Sequence, residues 1–97
     1  MKPFRWNAEK SEVLKQSRGV SFERIVGAVE GDGLLDIVEH PNKEKYPNQQ
    51  VFVVSVDGYV YLTPFVEEPD CFFLKTVIPS RKETRDYLQK GEPNAKR

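Results

Sequence analysis

The sequence predicts an α+β domain, and three observations carry that reading. Phe22, Ile25, Val26 and Val29 recur at the i, i+3, i+4, i+7 spacing of a helix with one buried face. Asp57-Gly58 separates two runs rich in β-branched and aromatic residues, Val-Phe-Val-Val-Ser-Val at 51–56 and Tyr-Val-Tyr-Leu-Thr at 59–63. Asp-Gly at such a junction signals a two-residue hairpin, because a type I′ turn needs φ > 0 at both central positions. Ser80 follows Pro79 and precedes Glu83 by three residues, the pattern of a capping box opening a last helix. The expected architecture is two-layered: a short N-terminal strand and two helices, an antiparallel sheet of three to four strands, and a C-terminal helix.

Each element has its own punctuation. Phe4-Arg5-Trp6 reads as a short strand, and Asn7 caps a first helix over 8–18 that Gly19 ends. Val13 and Leu14 are that helix's only large apolar residues, so one of its faces is expected to be exposed or to meet a partner. Ser21 caps the second helix and Gly31-Asp32-Gly33 ends it. A strand over 34–38 and a polar loop over 41–49 follow. A two-residue turn at Asp57-Gly58 sets Val56 opposite Tyr59 and Val54 opposite Tyr61. One sheet face then carries Phe52, Val54, Val56, Tyr59 and Tyr61, and the other Val51, Val53, Ser55, Val60 and Leu62. Both are apolar, so either helices cover both or another protein covers one. Pro64 is expected at a bulge or strand end, and a third strand spans 71–78 until Pro79 stops it. Residues 1–90 are read as one domain and 91–97, which lack large apolar side chains, as a flexible tail.

Composition narrows the function classes. Hydrophobic content of 38% and aromatic content of 11% suit a folded soluble protein. No apolar run approaches the ~20 residues of a membrane span, and the N-terminus has no secretory h-region, so the expected location is cytoplasmic. Net charge is zero, but the charges are segregated. Residues 1–29 hold six basic and three acidic groups, 30–70 hold two and nine, and 71–97 hold seven and three. A body so divided can present one basic and one acidic surface. One histidine and one cysteine cannot build a zinc site, and no glycine-rich phosphate loop or Gly-x-Ser-x-Gly elbow is present, so no cofactor or metal is expected.

The start of the last helix attracts most interest. Arg81 and Lys82 fall in its first turn, where the macrodipole disfavours cations unless an anion joins them, and Arg85 lies on the same surface. Free N–H groups and two cations there would receive a phosphate. Lys75, alone in an apolar strand, either snorkels to the sheet edge or projects from the open face toward an anionic ligand. Tyr59 and Tyr61 serve either as core or as stacking surfaces for bases. His40, beside Pro41, is a candidate for general acid–base catalysis, and the Tyr87 hydroxyl is a second candidate proton donor.

Three segments resemble the BrnT family of bacterial toxins, within the wider RelE/ParE-type group. Phe4-Arg5-Trp6-Asn7-Ala8-Glu9-Lys10 is similar to that family's aromatic-x-Trp-Asp-x-x-Lys opening, Arg18-Gly-Val-Ser-Phe-Glu23 to its His-Gly-Val-Ser-Phe-Glu, and Ile78-Pro-Ser-Arg-Lys-Glu-Thr84 to its Ile-Ser-x-Arg-Lys-Ala-Thr. Asn7, Arg18, Pro79 and Glu83 depart from the pattern. The resemblance implies a RelE/ParE-like fold and the toxin of a type II toxin–antitoxin system: an endoribonuclease that inhibits translation, neutralised by an antitoxin bearing a DNA-binding domain, through which it oligomerises. In that frame cleavage proceeds through the ribose 2′-hydroxyl without metal. Arg81 and Lys82 hold the phosphate, Lys75 and Arg85 support it, Tyr59 and Tyr61 meet the RNA, and His40 or Tyr87 moves the proton. The alternative expectation is a catalytically inactive module that only binds an antitoxin-like partner.

Overall fold

The structure is a computed structural model and describes residues 2–89. The tail expected at 91–97 lies outside the described residues. Strand β1 (Phe4–Arg5) leads into α1 (Ala8–Arg18) and α2 (Phe22–Glu30), followed by β2 (Leu34–Glu39), β3 (Gln49–Val56), β4 (Tyr59–Glu68), β5 (Cys71–Leu74) and β6 (Ile78–Pro79). A four-residue helix, α3 (Arg81–Thr84), runs on into a π-helical turn over Arg85–Gln89. The fold is α+β with a mostly antiparallel sheet ordered β1-β5-β4-β3-β2, in which β6 also pairs with β4. No helix among the described residues is long and apolar enough to cross a membrane.

The local signals act as their chemistry dictates. The Asn7 side chain accepts the Lys10 N–H at 2.9 Å, and Gly19 ends α1 at φ 72°. The Ser21 hydroxyl accepts the Arg24 N–H at 3.2 Å. Ser11 adds a cap that its position inside α1 did not announce. Its buried hydroxyl accepts the Phe22 N–H at 3.1 Å and donates to the Glu23 carboxylate at 2.9 Å, so the start of α2 is secured by the helix before it. Asp57 and Gly58 stand at φ 53° and 78°, and Val56 faces Tyr59 in the expected register. Gly33 is required by crowding: a Cβ there would lie 2.6 Å from the Ser55 carbonyl oxygen.

The main core lies between α1, α2 and one sheet face. Phe22, Ile25 and Val29 of α2 meet Phe52, Val54 and Val56 of β3, with Leu14, Val20, Phe65, Leu74 and Val77 closing the cluster. Phe52 and Phe65 stack at 3.9 Å. Arg18 donates to the Val77 carbonyl and so ties the end of α1 to the β5–β6 connection.

Four expectations are corrected. The strand expected over 71–78 is broken into β5 and β6, and β1 joins the sheet by parallel pairing with β5, so the sheet has six strands. Pro64 sits inside β4, opposite Val51, rather than at a bulge or end. Its carbonyl accepts the Lys75 N–H, so its donor-less nitrogen faces the same side, where β5 has stopped and β6 has not begun, and no ladder bond is lost. The capping box is half-formed: Ser80 Oγ accepts the Glu83 N–H at 3.1 Å, but the Ser80 N–H donates to the Val60 carbonyl, leaving the Glu83 carboxylate unused by the cap. The last helix has only four α-helical residues before the π-helical turn.

Candidate functional site

The second sheet face explains how two apolar faces coexist. By alternation from the observed register, Asp36, Val38, Val51, Val53, Val60, Leu62 and Pro64 point away from α1 and α2. The C-terminal turns cover part of this face. Buried Thr84 fastens them: its Oγ1 accepts the Val60 N–H at 2.8 Å and donates to the Ser80 carbonyl at 2.7 Å. Further along, the Tyr87 hydroxyl donates to Asp36 Oδ2 at 3.1 Å, spanning from the last turn to β2. Burial pushes the Tyr87 pKa up, and its hydrogen bond to Asp36 and the negative charges of Asp36, Glu83 and Asp86 push it further.

Between these fastenings and the β2–β3 end of the sheet a groove of about 290 Å³ stays open. Its floor is aliphatic, from Val38, Val51, Val53, Leu62, Pro64 and Ile78, and its rim carries Glu39, His40, Glu83 and Tyr87. A second, more polar cleft adjoins it, lined by Lys10, His40, Tyr46, Gln49, Lys75 and Thr76. His40, Pro64 and Ile78 line both cavities, so His40 stands at their junction.

His40 is held rather than free. Its Nδ1 accepts the Asn42 N–H at 3.0 Å, and its ring lies 4.5 Å from that of Tyr46. Committing Nδ1 as an acceptor places the proton of the neutral ring on Nε2. Lys75 lies just past the end of β5 and lines the polar cleft. Its Nζ lies 5.1 Å from the Phe73 ring, two residues back along the same side of the strand.

The sequence-predicted residues divide into two groups. His40 and Lys75 share the polar cleft, and His40 and Tyr87 share the apolar groove. Arg81, Lys82 and Arg85 line neither. Lys82 pairs with Asp86 at 3.1 Å, Arg85 lies 3.6 Å from the same carboxylate, and Arg81 is exposed, its carbonyl accepting the Arg85 N–H. The expected phosphate cradle at the start of α3 is therefore not assembled. α3 turns Glu83 and, one turn on, Tyr87 toward the groove, its cations line no part of it, and four α-helical residues give little macrodipole. Tyr59 and Tyr61 lie on the helix-covered face, edge to face at 5.6 Å with Tyr61 against the core, and so stand across the sheet from His40 and Lys75. Lys10 and Tyr46 join the cleft unannounced. One lies on a helix of which one face is expected from sequence to be exposed or to meet a partner, the other in a polar loop, and no spacing links 10, 46 and 75.

Glu68, Asp70 and Cys71 bring potential ligand atoms within 4.8 Å of one another. Burial raises the Cys71 thiol's pKa, and the hydrogen bond to Glu68 raises it further. No protein-family profile, curated protein or solved structure matches this chain.

Proposed function

We propose that this protein is an endoribonuclease toxin of the RelE/ParE type, with its reaction centre in the polar cleft rather than at the start of α3. The observation that carries the reading is the meeting of His40, with its tautomer set by the Asn42 N–H, and Lys75 and Lys10 in one open cleft beside an aromatic ring. The cleft suits a phosphodiester: two ammonium groups offset the charge that grows on the phosphorus oxygens, and Tyr46 offers a face to a base. In the step proposed, the ribose 2′-oxygen bonds to phosphorus as its proton passes to water, and the phosphorus–5′-oxygen bond breaks. His40 Nε2–H donates a hydrogen bond to the departing 5′-oxygen as that oxygen takes its proton from the same water, leaving a 2′,3′-cyclic phosphate and a 5′-hydroxyl. The three-segment resemblance to BrnT toxins supports the same class, and an antitoxin with a DNA-binding domain is the corresponding partner.

The test is cleavage of a labelled single-stranded RNA by the purified chain, compared with His40→Gln, Lys10→Ala/Lys75→Ala and Arg81→Ala/Lys82→Ala. The His40 variant is expected to lose ~10²–10³-fold in rate. The Lys10/Lys75 pair should also flatten the dependence of RNA affinity on salt by about 1.4 in log–log slope, as for two phosphate contacts on a single strand. Undiminished cleavage by His40→Gln, or no cleavage by the wild type, would remove the proposal.

A further inference from the structure

We infer that the apolar groove on the second sheet face is a docking site for a partner's peptide segment, one with an aliphatic or aromatic anchor flanked by lysine or arginine. The groove itself selects the anchor. Its floor is wholly hydrocarbon, and Val38 and Ile78 remain 36% and 42% exposed. Its ~290 Å³ is near the low end of ligand clefts, a fit for one or two side chains rather than a cofactor.

The rim selects the flanks. Glu39 and Glu83 line the groove, Asp36 holds the Tyr87 hydroxyl at its edge, and Asp86 follows one turn later. Lys43 and Lys82 answer them in part, pairing with Glu39 at 2.9 Å and Asp86 at 3.1 Å, and Lys82 lies 3.9 Å from Glu83. Arg85, 3.6 Å from Asp86, is a third cation, so among the described residues these four carboxylates exceed the cations beside them by one. The upward push on Tyr87 from Asp36, Glu83 and Asp86 is the same field felt by another group. Such a rim favours cationic flanks.

Two other occupants fit less well. The chain's own residues 90–97 contain no large apolar side chain to serve as an anchor. A second copy pairing groove to groove would set Glu39 and Glu83 against their like. Docking has a consequence that does rest on the proposed function: an occupant of the groove abuts His40, shared with the polar cleft, and would obstruct RNA there.

A random peptide library displayed on phage and panned against the full chain tests the docking directly. Enriched peptides, once synthesised, are titrated by fluorescence anisotropy against the wild type, Ile78→Glu, and the charge reversal Glu39→Lys/Glu83→Lys. Ile78 and Glu39 are exposed, and circular dichroism checks that each variant is folded. The enriched peptides should join an aliphatic or aromatic residue to lysine or arginine, and both variants should weaken them about tenfold or more. Peptides without basic residues, equal binding to both variants, or no enrichment would each overturn the inference. So would a wild-type dimer in sedimentation that Ile78→Glu disperses, since the occupant would then be a second copy. Peptide affinity is read without RNA, so an inactive wild type removes the ribonuclease reading and leaves this one standing. Protection of RNA by a bound peptide links the two.

Discussion

The Tyr87 hydroxyl donates to the Asp36 carboxylate at 3.1 Å across 51 residues of sequence, and this bond sets where the C-terminal turns end over the sheet. Asp36 is oriented for it, because its other oxygen accepts the Ile37 N–H at 2.8 Å. With its proton directed at Asp36, Tyr87 is a bracing group in this arrangement, and His40 is left as the donor facing open space.

Tyr87→Phe is accordingly expected to cost about 0.5–1 kcal/mol, as a partly exposed hydrogen bond does, and to leave RNA cleavage within about tenfold of wild type. The pH dependence has a definite sign. A tyrosine pKa raised in the folded state stabilises below its ordinary value of 10.0, and that share is lost as pH climbs through the higher folded value. Cys71, raised from 9.0, acts in the same direction. Urea unfolding followed between pH 8 and pH 11 should show a shallower alkaline decline in Tyr87→Phe than in the wild type; an identical decline would refute the assignment.

Thr84→Val keeps the shape of a nearly buried side chain and deletes its oxygen. The Val60 N–H is then left without its acceptor in a dry place, for which ~1–3 kcal/mol of destabilisation is expected. Amide exchange at Val60 should quicken well beyond that of Val54 in the core. Equal protection in variant and wild type would show that the hydroxyl is not the acceptor that matters.

Ser11→Ala removes the hydroxyl that bridges the Phe22 N–H and Glu23, with an expected loss of about 1–2 kcal/mol. The Glu23 pKa is lowered first by its own backbone N–H and next by Ser11. A depressed carboxylate stabilises above its ordinary 4.5 and loses that contribution as pH falls through the folded value. Thermal unfolding at pH 3 to pH 6 should therefore show a smaller acid-side loss in Ser11→Ala than in the wild type. Parallel curves would contradict the bridge.

Local chemistry was legible in the chain. Asn7, Ser21 and Ser80 cap because their oxygens reach an N–H three residues on, and Asp57-Gly58 turns because both residues adopt positive φ. The α2 stripe is core because its period matches the helix. The start of α3 misled for an instructive reason. Whether Glu83 closes the capping box depends on the Ser80 N–H being claimed by Val60, twenty residues away.

What the sequence by itself determined is each element's type and the alternation that sorts the strands' side chains into two faces, since helix period, strand period and turn stereochemistry act between near neighbours. Only the tertiary structure decided which face the C-terminal turns cover, how β5 and β6 share β4 around Pro64, and that Lys10, His40, Tyr46 and Lys75 meet. Those outcomes depend on packing and hydrogen bonding between residues distant in sequence, and no local spacing encodes such a meeting.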